Sequence, residues 1–116
     1  MKRDPELIRQ ILIQIEENST GGECPELQID GYDVMMIHYH CWLLIDDGYV
    51  KGAVAELSSG VWCEPRTLTN KGHDLLDLIK NDTLWNKFKE LSKEHGLKVI
   101  FQVLTTNASK VLGLSD

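Results

Sequence analysis

The densest group of side chains able to do chemistry is His38, His40 and Cys41, within a run of four residues. Imidazole and thiolate groups ligate zinc, move protons and act as nucleophiles. Cys24, Cys63, His73 and His95 complete the pool of possible ligands. No pair among them has a zinc-ligand arrangement such as Cys-x-x-Cys. A spacing of two turns His38 and His40 to different sides of a helix. His40 and Cys41 are neighbours in the same run, so their reactive atoms do not easily meet. The expectation is no metal site and no cofactor, with His40 at a core edge and one ring nitrogen hydrogen-bonded. His73 is expected at the start of a helix, where Gly72 allows close packing.

The remaining chemistry is as sparse. Ser58 and Ser59 belong to a turn and lack the flanking residues of a nucleophile elbow. Gly21-Gly22 is not followed by the Lys-Ser/Thr of a phosphate loop. The carboxylates are dispersed, with no evidently buried pair. The sequence therefore predicts no catalytic residues and no enzyme.

The elements that position these groups follow from caps and periodicity. Asp4 can cap a helix with Pro5 at its first position, and Leu7, Ile8, Ile11, Leu12 and Ile15 repeat at helical spacing. Glu17 to Gly31 reads as loop, with a short extended piece at Leu27 to Ile29. Asp33 opens a middle helix that runs to Asp46 or Asp47, and Gly48 stops it. Two strands, Tyr49 to Leu57 and Val61 to Leu68, flank a Ser58-Ser59-Gly60 turn. Pro65 marks the second strand as an edge or its end. Thr69 caps a helix with Leu75, Leu76 and Ile79. Asp82 caps another with Leu84, Trp85, Phe88 and Leu91, closed by Gly96. Val99/Val103, Ile100/Leu104, Leu104/Ala108 and Ala108/Leu112 pair at i, i+4, so Lys98 to Leu112 reads as helix despite its β-branched content.

A chain of 116 residues with 42% apolar and 26% charged side chains fits one globular domain. Three cysteines argue against a disulfide scaffold and for a reducing compartment. The apolar runs are too short to span a bilayer, and the N-terminus lacks the apolar core of a signal peptide. A cytoplasmic location and no membrane partner are expected. The net charge of −6 is unevenly spread: residues 1–79 carry −8 and residues 80–116 carry +2.

The element order carries a resemblance. A helix ending in "LLIDDGYV", a hairpin, and then "LTNKGHDLLDLI" resemble the winged-helix pattern of bacterial regulators. The matching residues are Leu44, Gly48, Tyr49 and Val50, then Leu68, Thr69 and Gly72. The pieces "MKRDPELIRQILIQIEE", "YHCWLLIDDGYVKG" and "LTNKGHDLLDLIKNDTLWNKFKE" are also similar to a family of bacterial and prophage proteins, domain-of-unknown-function family 2513. The resemblance implies an α+β fold. Its winged-helix-like core (helix, helix, two-stranded wing, helix) would span residues 1–80, and a helical extension 81–116, in a single domain. Residues 18–32 show no apolar period for a further helix, which leaves the helix-turn-helix incomplete.

Function is then sought on the middle helix. Ile37, Cys41 and Leu44 share one face, with Val34 and His40 at its margins, and that face should pack on the first helix. Met35, His38, Tyr39, Trp42 and Asp46 lie on the other side. A DNA reader would offer arginine, lysine or amides there. No lysine or arginine occurs from Gln10 to Val50, which holds eight carboxylates. Met35, His38, Tyr39 and Trp42 instead form a candidate protein interface, because aromatics and Met are enriched in interface cores. Their cover is either the C-terminal helices or another chain. The expected function is a regulatory or adaptor module that binds a protein partner or itself. The alternative is a DNA-binding transcriptional regulator that touches phosphates through Lys51, Arg66 and Lys71.

Overall fold

The computed structural model of the protein describes residues 3–20 and 26–95, with side chains of the final turns described only to Glu90 and at Lys93. Cys24, Gly96 and the expected helix from Lys98 to Leu112 lie outside these residues. The elements are helix α1 (Pro5–Asn18), helix α2 (Val34–Asp46), strands β1 (Val50–Leu57) and β2 (Gly60–Leu68), helix α3 (Asn70–Ile79) and helix α4 (Asp82–His95). This is an α+β order of helix, helix, hairpin, helix, helix, compatible with a winged-helix-like core. The chain divides into two compact units, residues 1–73 and 74–116.

In the first unit the caps act as local start and stop signals. The Asp4 carboxylate accepts from the N–H groups of Glu6 and Leu7, at 2.9 and 3.3 Å. Two orphan donors of α1 are thus satisfied. The apolar stripe of α1, Leu7, Ile8, Ile11, Leu12 and Ile15, is buried throughout. Each such side chain contributes roughly 1.5–3 kcal/mol by leaving water. Asp33 stands at the N-cap of α2 but makes no side-chain cap bond. The far end of α2 is closed by Gly48 at φ +83°. Tyr49 N–H donates to Leu44 O at 2.9 Å and Gly48 N–H to Ile45 O at 3.1 Å. That double closure is a Schellman cap, and it turns the chain directly into β1.

Residues 27–29 form no strand; they are irregular. Their backbone is instead held by α1: the Gln14 amide donates to Gln28 O at 2.7 Å and accepts from Gln28 N–H at 3.1 Å. One side chain thereby replaces the ladder that an extended piece would need.

β1 and β2 pair antiparallel, with Leu57 opposite Gly60 across a two-residue Ser58-Ser59 turn. β2 does not end at Pro65. Lys51 faces Thr67 while Gly52 faces Pro65, so Arg66 is an extra, bulged residue. A bulge accommodates the missing Pro65 donor and lets the strand continue. Ser19, the C-cap of α1, donates its hydroxyl to the bulged Arg66 carbonyl at 2.8 Å.

α3 opens as expected at Thr69, whose hydroxyl accepts from Gly72 N–H at 3.0 Å and donates to Gly48 O at 2.6 Å. A Cβ on Gly72 would collide with the Tyr49 carbonyl, so the start of α3 lies against the start of the hairpin only because residue 72 is glycine. In the second unit Leu75, Leu76, Ile79, Trp85 and Phe88 are buried, and the Trp85 and Phe88 rings stack at 5.1 Å. The cap of α4 is Asn81, one residue before the expected Asp82. The Asn81 side chain accepts from Thr83 and Leu84 N–H at 2.9 and 3.1 Å. An amide oxygen does the capping here, and Asp82 sits in the first turn, where its charge favours the helix dipole.

Candidate protein-interaction surface

The inner face of α2 is as the wheel requires: Ile37, Cys41 and Leu44 are buried. His40, expected at the margin, is fully buried. Both of its ring nitrogens are engaged, one more than expected. Nε2 accepts from the backbone N–H of Asp4 at 2.8 Å, and Nδ1 lies 2.8 Å from Met36 O. A ring that accepts at Nε2 must be neutral and must donate from Nδ1. Burial holds the His40 pKa below the ordinary histidine range. His40 thus joins the N-cap of α1 to α2, as a structural histidine.

The outer side of α2 is addressed by the hairpin, a cover that the sequence did not suggest. His38 Nδ1 accepts from the Cys63 N–H at 2.9 Å, and the Trp62 ring stacks on the His38 ring at 3.9 Å. The Cys63 thiol donates to His38 O at 3.4 Å. Burial lowers the His38 pKa. Met35 reaches the turn, where a Cβ on Gly60 would meet its terminal methyl. Tyr39 and Trp42 are half-buried and stand edge-to-face, centroids 5.9 Å apart. The four residues are therefore divided in use. Met35 and His38 hold the hairpin, while Tyr39 and Trp42 pair with each other.

This arrangement makes the two edges of the sheet unequal. The Cys63 N–H points away from β1 and is taken by α2, so the β2 edge is closed there. In an antiparallel ladder, opposite residues alternate between pairs that exchange both hydrogen bonds and pairs that exchange none. Val54 lies opposite Cys63. Val54 and, two residues on, Glu56 must then direct their N–H and C=O groups outward from β1. Every residue of β1 after Val50 is exposed. Among the described residues, Val54 at 37%, Leu57 at 54%, Trp62 at 43% and Val34 at 52% are the large apolar side chains left in water. Leu57 and Trp62 flank the turn, and Val34 precedes the Met35 that packs on it. The hairpin thus presents an open strand edge with apolar side chains beside it.

The cation candidates are placed differently from one another. Lys51 and Arg66 are exposed at the base of the hairpin. Lys71 reaches back to Asp47 O at 3.1 Å and lies over the Tyr49 ring at 4.4 Å. There it supplies positive charge to the C-terminal end of α2, a favourable dipole interaction. His73 sits 3.6 Å from Glu16. Among the described residues, no cluster of three His, Cys, Asp or Glu side chains is arranged to hold a metal ion. Likewise, no described helix is long and apolar enough to cross a membrane.

The comparisons agree with the resemblance to the family of unknown function. A protein of Haemophilus influenzae named "Uncharacterized protein" is 36% identical over 118 residues, covering 97% of this chain and 99% of that protein. No solved structure matches the chain. The family model described as "Hypothetical protein (DUF2513)" matches residues 2–98, and the chain belongs to that family.

Proposed function

We propose that the protein is a non-enzymatic regulatory or adaptor module that pairs with a second copy of itself through the outer edge of β1. The observation that carries this reading is the exposure of β1 from Lys51 to Leu57 beside a β2 edge that α2 closes. An open strand edge is a template for another strand, and natural proteins cover or charge such edges when they do not use them. This edge is exposed from Lys51 to Leu57 and carries charge only at Lys51 and Glu56.

The strand is suited to its own copy. Antiparallel pairing with Val54 opposite Val54 sets Ala53 against Ala55 and Gly52 against Glu56, with no like charges opposed. It also brings Lys51 of each copy to the ladder end that holds the other's Glu56. The result is a four-stranded sheet with the two β1 strands at its centre. Such a strip is more favourable than the isolated two-stranded hairpin.

Sedimentation equilibrium of the wild type and Val54→Lys tests the reading. Val54 directs its backbone outward and its side chain is part-exposed, so the monomer keeps its fold. A lysine there opposes a lysine in the dimer. Self-association is expected in the wild type, weakened about tenfold or more in the variant. A wild type that stays monomeric at high concentration contradicts the proposal.

A specific observation also favours a second reading, a DNA-binding regulator. Lys51 and Arg66 are both exposed at the base of the wing, where a wing would meet phosphates. The acidic first two-thirds of the chain opposes it. Reversing the charge of both residues in a mobility-shift assay separates wing contact from nonspecific attraction.

A further inference from the structure

Cys41 and Cys63 are both buried and both free, and they come from different elements. His38 and Cys41 are three apart on α2, which places them one above the other on the helix surface. The bonds from Cys63 N–H and Sγ to His38 therefore fix Cys63 beside Cys41. Interaction between the two thiols raises the Cys41 pKa and lowers that of Cys63. The direction makes Cys63 the readier thiolate, and thiolate character decides which cysteine is oxidised first. Cys63 also sits on the hairpin, whose partner strand is exposed from Lys51 to Leu57. A two-stranded hairpin held at one edge opens locally at little cost, which admits a small oxidant.

We propose that Cys41 and Cys63 are a redox modification site: a hydroperoxide oxidises the pair to a disulfide that locks the hairpin onto α2. The Cys63 thiolate attacks a peroxide oxygen. The S–O bond forms, the O–O bond breaks, and the leaving hydroxide takes a proton to become water. The Cys41 sulfur then attacks the Cys63 sulfenic sulfur. The S–S bond forms, the S–O bond breaks, and the departing hydroxide carries off the Cys41 proton as a second water. Two thiols lose two electrons in total and one peroxide gains them. A dithiol reductant reverses the link by exchange.

The link would join the element that closes the β2 edge to the strand it closes. It would leave the outer edge of β1 untouched, so it stands or falls apart from the self-pairing reading.

The test uses the full chain with Cys24→Ser, which removes the third thiol. The folded protein is treated with hydrogen peroxide and digested without reduction. The expected result is an intact mass lower by two hydrogens, a peptide joining Cys41 to Cys63, and a higher melting temperature that dithiothreitol reverses. In Cys41→Ser, the Cys63 sulfenic acid should persist and be trapped by dimedone. Oxidation of Cys63 to sulfinic acid with Cys41 still free overturns the proposal. So does the absence of reaction under conditions that oxidise a free thiol. If Cys41→Ser fails to fold, the linked peptide in the Cys24→Ser protein decides alone.

Discussion

His40 shows how far one side chain can be read before its partners are known. Its position on the wheel placed it near the core. Its two bonds, to Asp4 N–H and Met36 O, depend on how α1 meets α2, and no spacing rule announces that. Replacing His40 with alanine removes buried volume and strands both partners. The expected loss is about 2–4 kcal/mol, read from denaturant unfolding. The pH dependence has a definite sign. The folded pKa is depressed, so the unfolded chain binds the proton more readily. The stabilising contribution is full above about pH 6.5 and is lost as pH falls from there toward the folded pKa. His38 adds to the same slope, since burial lowers it as well. A urea series from neutral to acid pH should show declining stability, with a shallower decline in His40→Ala. Gly72 belongs to the same scale. Gly72→Ala pushes a methyl into the Tyr49 carbonyl, where overpacking costs roughly 1–3 kcal/mol. A melt of that variant should fall well below the wild type even though alanine is the better helix former.

Elements were legible where a local signal sets them. Asp4 with Pro5, the Gly48 stop and the Thr69 cap depend on residues close in sequence, and each stands where its chemistry placed it. The hairpin followed from two β-rich runs around a serine–glycine turn. What escaped depended on distant partners. Leu27 to Ile29 reads as a short extended piece within a loop, and its backbone meets the Gln14 amide rather than another strand. Pro65 marks an edge strand or its end, and the edge holds, but the bulge at Arg66 that lets the strand pass it has no sequence signature of its own. The wheel leaves the outer side of α2 to the C-terminal helices or another chain, because it does not show where the following hairpin lies. His38 is the contact that decides this. His38→Ala should leave the Cys63 N–H without its acceptor and release the Trp62 ring. The expected cost is about 1–3 kcal/mol, with faster amide exchange at Cys63 than at its neighbours. Unchanged exchange at Cys63 would mean that α2 does not close this edge.

Charge and the open edge are properties of the whole molecule. A net charge of −6, with no cation from Gln10 to Val50, repels a polyanion from most of the surface. Weak, strongly salt-sensitive DNA binding is expected in a mobility-shift assay. An affinity of roughly 10⁻⁸ M or tighter at physiological salt would instead favour the regulator reading. Self-pairing makes a finer demand, because it assigns alternate residues of β1 to opposite edges. Amide exchange measured residue by residue across a concentration series tests it most directly. Pairing through β1 slows Val54 and Glu56 markedly as concentration rises, while Ala55, already bonded to β2, changes little. Fast exchange at both Val54 and Glu56, unchanged up to about 1 mM protein, would contradict pairing through β1.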